Sequence, residues 1–546
     1  MFQGSIQIDE EVGKDSALVI DSNATSRSVT LQNLKDFGFG VVRQATKMVD
    51  GRNMLEHRHF NLVVCDYNFD TESASGLSLL EELRRENLLP YSTVFIMIAS
   101  EATYNQVAEA AESALDGFIL KPFSANSLAE RIKESRQKKR VLRDIFQALE
   151  LRDFETAAEL CLQRFESRGM YWLYAARIGA ELLLRQKRNV EAAKLFEAVV
   201  AAKTVPWARL GIARAHFAEG EIAKARRKVE ELLSDEPDNA DAHDVLGHVQ
   251  MEQGQVEEAR ASFENATHLT PDSILRLQHT GTLGFYSGDA ARASELLERA
   301  WTVGKRSRLF DYLSMLLLAF IRFDEGQTTG LQIALDNLTQ MAAKHPQSVR
   351  LKRFERITVV LWDVLNGKTG RAFQITREIA SEFMKPAFDL EAAMNVLSLL
   401  ARLADRGYPK EEFELSVRRI AKRFAVTKAS NQVLLTAALH RPDIEVWLGE
   451  ALAQTSEVAQ KGVDLTLQQE LERAIQMLLQ YGDVSYNSRV IELAGQLLKR
   501  YNDKIPDAGR LIDQQGVLAR RYCVPSTHIA GIRRSGRSSG GLVLRA

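Results

Sequence analysis

Residues 61–68 read Asn-Leu-Val-Val-Cys-Asp-Tyr-Asn. A short apolar run that stops abruptly at a carboxylate reads as a buried parallel strand. Open α/β sheets place their chemistry at the C-terminal ends of such strands. Other runs share the design: Ala17–Ile20 (A-L-V-I) ends in Asp21, Thr93–Ala99 (T-V-F-I-M-I-A) is apolar throughout, and Gly117–Leu120 (G-F-I-L) ends in Lys121-Pro122. Val41-Val42 opens a further strand after Gly38 and Gly40, which stop a helix over Ser26–Phe37. Leu77–Arg85 and Tyr104–Ala114 read as helices, and Ser127-Leu-Ala-Glu130 has the spacing of a capping box at the start of a last one. Strands alternating with helices predict an α/β doubly wound five-stranded parallel sheet.

The polar residues at the strand ends set the chemistry. Asp21, Asp66 and Lys121 each follow an apolar strand directly, and in a parallel sheet those ends share one edge. Two carboxylates and a backbone carbonyl suit a magnesium ion that keeps several waters. A nearby lysine stabilises the negative charge of a transferred phosphoryl group. An aspartate in such a pocket can accept that group as an acyl phosphate.

Residues 15–136 resemble the receiver domain of two-component response regulators, with a flavodoxin-like sheet. The resemblance is carried by L-V-I-D ending at Asp21, V-V-C-D-Y-N ending at Asn68, I-M-I-A-S-E over 96–101, and G-F-I-L-K-P-F over 117–123. It implies that Asp66 is the phosphoacceptor for a histidine kinase or phosphotransfer protein. It further implies that Asp21 and Asp66, with the carbonyl of Asn68, hold Mg2+, and that Lys121 contacts the phosphoryl group. A Lys-Pro in this context is often cis, which fixes the lysine. Three features depart from the family. Ser22 stands where a second acid is usual, which weakens magnesium binding. Ala99 stands where a hydroxyl is usual, with Ser100 one residue later. The loop from Asp66 to Gly76 is longer than usual, and Asp70 and Glu72 lie within it. Phe118 replaces the family's more usual tyrosine and reads equally as a core aromatic.

From Ser127 a helical pattern runs through R-I-K-E-S-R-Q-K-K-R (131–140) into Val141, Leu142, Ile145, Phe146 and Leu149 without Gly or Pro, predicting one continuous connector helix. Its basic residues read as a solvated face. A period of 34 residues then appears in Ala225, Ala259 and Ala293, in Gly220, Gly254 and Gly288, and in Ala213, Gly247 and Gly281. Small residues recur where two helices cross, glycine sits in the turn between them, and Pro237 and Pro271 follow the second helix. The pattern resembles the tetratricopeptide repeat over 206–305, with weaker units over 137–205. That resemblance implies an all-α solenoid with a concave groove for a protein or peptide. Projection places Arg214, Asp244, His248, Gln278, Thr282 and Phe285 on the groove face. Degenerate repeats and a cap are expected over 306–505. Asn366-Gly-Lys-Thr369 lacks the upstream glycine and the strand of a phosphate loop, so nucleotide binding is not expected there.

Composition bounds the rest. The 546 residues carry a net charge of −1, so no bulk field draws the chain to nucleic acid or membrane. Three separated cysteines offer neither a disulfide framework nor a zinc spacing and suit a reducing cytoplasm. Residues 1–14 form an N-terminal extension without a basic or apolar leader, and no run is long enough to span a membrane. Residues 506–546 read as a disordered basic tail. The expected function is a signalling adaptor that takes a phosphoryl group on Asp66 and transmits its state through protein contacts of the repeats. The alternatives are a constitutive scaffold whose receiver only docks, and a nucleic-acid-binding regulator acting through the tail. No enzyme is expected beyond the receiver's own phosphoryl chemistry.

Overall fold

The computed structural model describes residues 8–69, 75–100, 115–506 and 508–523, with the backbone of 528–529 and 532–533. Their contacts divide into two compact units. The first runs to Thr280 and includes Arg299–Phe310; the second comprises Gly281–Glu298 and the described residues after 310.

The first unit opens with strands β1 (Ser16–Ile20), β2 (Val41–Ala45), β3 (Leu62–Asp66), β4 (Val94–Ala99) and β5 (Gly117–Leu120). They pair in parallel in the order β2-β1-β3-β4-β5, the expected doubly wound sheet. β3 and β4 are buried at every position, whereas the edge strand β2 is mostly exposed. Alternate residues serve opposite faces. Leu18, Ile20, Val63, Cys65, Phe95 and Met97 pack under α2 (Met48–His57) and α3 (Gly76–Arg85) through Met48, Leu55, Leu77, Leu80 and Leu83. Ala17, Val19, Leu62, Val64, Ile96 and Ile98 pack under α1 (Ala24–Asp36) and α4 (Ala125–Val141) through Leu34, Leu128 and Ile132. The helix expected over Tyr104–Ala114 lies outside the described residues, as do Asp70 and Glu72. The capping residue of α4 is Ser124, whose side chain accepts from Ser127 N–H at 3.1 Å, so the capping box read at Ser127 is one turn late.

Two expectations at the junction are corrected. The connector is not one helix: α4 ends at Val141, Leu142 leaves the helical pattern, and α5 (Arg143–Glu150) begins directly. The basic run is a solvated face only in part: Arg131, Lys133 and Arg140 are exposed, and the other three are not. Arg136 pairs with Asp9 (2.8 Å) and Asp15, while Lys138 and Lys139 lie 3.0 and 3.2 Å from the two carboxylate oxygens of Asp116. Lys139 Nζ also donates to Tyr91 O (2.6 Å), and Glu150 of α5 accepts from Tyr91 N–H (2.6 Å). These partners come from elsewhere in the chain, so a local charge pattern could not reveal them.

Helix pairs follow. In the first unit they include α6 (Phe154–Glu166), α7 (Trp172–Arg185), α8 (Asn189–Ala202), α9 (Pro206–Ala218), α10 (Ile222–Asp235), α11 (Ala240–Glu252) and α12 (Val256–Leu269). α13 (Ile274–Tyr286) and α14 (Ala290–Gly304) contribute to both units. The second unit continues with α15 (Leu313–Asp324), α16 (Thr328–Lys344), α17 (Val349–Leu365), α18 (Thr369–Ser381), α19 (Leu390–Ala404), α20 (Lys410–Phe424), α21 (Lys428–Ala437), α22 (Pro442–Leu467), α23 (Leu471–Ser485), α24 (Ser488–Tyr501) and α25 (Ala508–Tyr522).

The repeat is built as its sequence suggested. A side chain on Gly247 would meet the Phe263 ring at 2.8 Å, and one on Gly281 would meet Leu297 at 2.8 Å. Small residues therefore sit where paired helices cross. Gly220, Gly254 and Gly288 turn with positive φ (79°, 76° and 82°), and Gly326, Gly367 and Gly407 extend the series beyond the legible period. In the weaker early units Arg152 and Lys187 take the same left-handed place, each at φ 60°. The tail also departs from expectation. Residues 508–522 form α25, held by buried Leu511 and Leu518 in a cluster with Ile491, Ala494 and Leu498. Beyond it the described residues form two short antiparallel strands, His528–Ile529 and Ile532–Arg533.

Candidate functional site

β1 and β3 are neighbours, and the chain leaves them in opposite directions across the sheet, to β2 and to β4. A crevice opens at such a switch point. Asp21 and Asp66 stand at its rim, both buried. Backbone bonds continue the ladder just beyond them: Asp21 N–H donates to Ala45 O (3.1 Å) and Tyr67 N–H to Ile98 O (2.7 Å). Lys121, directly after β5, donates to Asp21 Oδ2 at 3.3 Å and, more closely, to Asp66 Oδ2. Its peptide bond to Pro122 is cis, and its N–H donates to Ala99 O at 2.8 Å. Three residues far apart in sequence thus meet around one ammonium group.

The remaining valences are filled locally. Asp21 Oδ1 accepts from Asn23 N–H (2.8 Å), and Asp66 Oδ1 accepts from Asn68 N–H (3.3 Å). Burial pushes the Asp66 carboxyl above the ordinary range, and the Asp21 charge adds to this, while the Lys121 hydrogen bond pulls it back. Arg27, which no sequence motif marks, donates to Asp21 O (2.8 Å) and Ser22 O (3.3 Å) and so holds the turn that presents Asp21. Gly76 is likewise marked by no motif. Its N–H donates to Tyr67 O at 2.8 Å, and a Cβ there would fall 2.1 Å from Asp66 O, so α3 starts against the backbone of Asp66. Ala99 is fully buried and offers no hydroxyl, Ser100 is exposed, and Phe118 is half-buried against the α2–α3 side of the sheet.

Among the described residues no group of three or more His, Cys, Asp or Glu converges. Asp21 and Asp66 nevertheless both reach one cation, Lys121, which is the convergence that a hydrated Mg2+ with the Asn68 carbonyl needs. The residues fit such an ion, with one acid fewer than a three-carboxylate set.

The six groove candidates divide. Arg214 is half-buried and pairs with Glu181 (3.3 Å); Asp244 accepts from Arg276 (2.9 Å); His248 stands edge-on to Phe263 at 5.2 Å. Gln278, Thr282 and Phe285 are buried, so their expected place on an open surface is corrected. The reason is visible at Phe285. Its ring stacks on Phe320 of α15 at 6.0 Å, and the Arg402 guanidinium of α19, bonded to Asp324, lies over both rings. Projection identifies a helix face but cannot tell that later helices cover it.

An α/β sheet carrying two acids and a lysine at one edge, followed by paired-helix repeats, defines a chain of modular design. Residues 17–133 match the response regulator receiver domain, and residues 183–247 and 217–278 match the tetratricopeptide repeat. The chemotaxis protein CheY-3 of Vibrio cholerae (El Tor Inaba N16961) is 33% identical over 115 residues, covering 21% of this chain and 86% of its own. The chemotaxis protein CheY of Pseudomonas aeruginosa PAO1 is 31% identical over 117 residues, covering 21% and 92%. The chain belongs to the response regulator receiver family through this domain and carries tetratricopeptide repeats after it. Among solved structures it is similar to a CheY-like receiver domain protein of Methanospirillum hungatei JF-1 (23% identity, 23% and 96% coverage, TM-score 0.21). It is also similar to the C-terminal part of a TPR repeat-containing protein of Cytophaga hutchinsonii (13% identity, 46% and 96% coverage, TM-score 0.29). Among the described residues no helix is long and apolar enough to cross a membrane.

Proposed function

We propose that this response regulator accepts a phosphoryl group on Asp66 from a histidine kinase or phosphotransfer protein and signals through protein contacts of its repeats. The observation that carries the reading is the meeting of Asp21, Asp66 and Lys121 at one sheet edge. In the transfer, an Asp66 carboxylate oxygen bonds to phosphorus as the P–N bond to the donor imidazole breaks and its electron pair returns to the ring. The Lys121 ammonium, already against Asp66, follows the charge onto the phosphoryl oxygens. Asp21, Asp66 and the Asn68 carbonyl would hold Mg2+, which when bound neutralises charge on the phosphoryl oxygens. The reducing cytoplasm is the proposed place of action; Cys65, Cys161 and Cys523 are all free thiols. The test is exposure of the full chain to acetyl phosphate and Mg2+ with separation on Phos-tag gels. A shifted band is expected for wild type and none for Asp66→Asn; no shift in either would refute the reading.

A second reading is favoured by the apolar, buried Ala99: a receiver that docks without being phosphorylated. It predicts no saturable magnesium binding, by fluorescence or NMR titration, in the millimolar range.

A further inference from the structure

We propose that the acidic end of the receiver, formed by Glu56 of α2 and by Glu82 and Glu86 of α3 and its cap, is a docking surface for the basic Lys305–Arg308 segment of the same chain, and that α3 carries the state of the Asp66 site to it. Both partners lie in the first unit.

Glu82 is the centre of the contact. It is 3% exposed, and a carboxylate so placed needs hydrogen bonds to both oxygens. One oxygen accepts from Arg52 of the receiver at 2.6 Å. The other accepts from Ser307 Oγ of the repeats at 2.6 Å, across 225 residues of sequence. Glu82 is therefore satisfied by the receiver and the repeats jointly. Arg52 also donates to Arg306 O (2.9 Å), and Arg308 pairs with Glu56 and lies 3.6 Å from Glu86. Across the contact Arg308 faces Glu56 and Glu86, while Glu82 takes the Ser307 hydroxyl and Arg52 the Arg306 carbonyl.

The segment is presented firmly. Leu309 and Phe310 behind it are buried, and Phe310 stands edge-on to Trp301 at 5.3 Å. Leu309 N–H donates to Ser307 Oγ at 3.1 Å, which aims the hydroxyl proton at Glu82. The Lys305, Arg306 and Arg308 side chains are exposed even while docked, but a protease needs the backbone freed, so tryptic cleavage reports release of the segment from the receiver.

α3 joins this surface to the site. Its first residue, Gly76, is seated on the backbone of Asp66, and its last turn bears Glu82. A helix of this length moves as a rigid rod, so a shift of the Asp66 turn is delivered to the docked segment. This route rests on the phosphoacceptor reading above; the docking does not.

The experiment uses the full chain. The initial rate of tryptic cleavage after Lys305, Arg306 and Arg308 is followed by mass spectrometry in wild type, in Glu82→Gln and in Glu56→Gln/Glu86→Gln. The last pair is partly exposed and leaves the sheet core untouched. Loss of charge-assisted bonds raises the open population by about tenfold, and cleavage should rise in proportion. Unchanged cleavage in both variants overturns the docking. A second arm compares wild type with and without acetyl phosphate, with Phos-tag gels reporting uptake. Phosphorylation that changes cleavage in wild type and not in Asp66→Asn supports the route. Phosphorylation without a change in cleavage overturns the route. No uptake overturns the phosphoacceptor reading and with it the route, while the first arm still decides the docking.

Discussion

Asp116, one residue before β5, should be the electrostatic fastening that holds the end of α4, from which the repeats continue, to the receiver sheet. Its side chain is 1% exposed, and the Lys138 and Lys139 side chains are 12% exposed. Asp116→Asn keeps the shape and an acceptor for Phe95 N–H, which donates to Asp116 at 3.0 Å, but leaves two shielded ammonium groups without their carboxylate. Removing one partner of a buried ion pair costs about 3–5 kcal/mol. Two features reduce this. Lys139 keeps Tyr91 O and lies 4.7 Å over the Phe146 ring, and Lys138 lies 4.5 Å over the Tyr174 ring. Their stems can also swing the charges toward water. The expected loss is therefore about 2–3 kcal/mol, or roughly 3–5 °C in the transition of a unit of this size. Scanning calorimetry of the full chain at pH 7 measures it. Burial opposes the Asp116 charge, yet the two ammonium groups and the Phe95 N–H hold its pKa below the ordinary value. A carboxylate lowered in the folded state stabilises above its unfolded pKa, about 3.9, and loses that stabilisation as pH falls through the folded value. The gap between wild type and Asp116→Asn should be full above about pH 5 and shrink below about pH 4. Adding Lys138→Met and Lys139→Met to Asp116→Asn should recover stability, because the ring contacts remain and no charge is stranded. A gap under about 0.5 kcal/mol at pH 7, or a triple variant weaker than the single one, would refute the reasoning.

Two further outcomes concern the repeats. Lys187 holds the left-handed turn position that glycine holds at Gly220 and Gly254, so Lys187→Gly should stabilise the first unit by up to about 1 kcal/mol in urea denaturation. Gly247→Ala should destabilise it by about 1–3 kcal/mol in the same assay, because the new methyl meets the Phe263 ring at 2.8 Å and the crossing helices must part.

What was legible followed from what is local. β1, β3 and β5 are short apolar runs with a charged residue at or just after the end, so the sheet and the meeting of Asp21, Asp66 and Lys121 could be read from residues in sequence. α2 was not delineated. Its interior Gly51 weakens the helical pattern, and the reason is tertiary: a Cβ there would meet the Ile20 side chain at 2.6 Å. The basic run of α4 was misread because its acids, Asp9, Asp15 and Asp116, lie outside the helix. α25 was read as disordered because its arginines and glycines outweigh the two leucines, Leu511 and Leu518, that anchor it. Phe285 was assigned to the correct kind of helix, but Arg402, which covers it, belongs to a helix much later in the chain.

The two receiver–repeat contacts occupy different places and differ in strength, and this decides which one can carry a signal. Asp116 and Tyr91 precede β5 and β4, at the N-terminal edge of the sheet, whereas Asp66 ends β3 at the opposite edge. A strand of five residues puts about 17 Å between those edges, so chemistry at Asp66 does not touch the Asp116 fastening directly. That fastening is nearly dry, and its loss, about 2–3 kcal/mol, takes up most of what a coupling between sites, about 1–3 kcal/mol, can supply. The Arg308 pairs are different: the arginine side chain is 44% exposed, and such pairs contribute about 0.2–1 kcal/mol each and weaken with salt. A modest shift in α3 is enough to release them. The Asp116 junction is therefore the pivot, and the Lys305–Arg308 segment is the contact that moves. Added salt should then speed tryptic cleavage of that segment well before it loosens the junction.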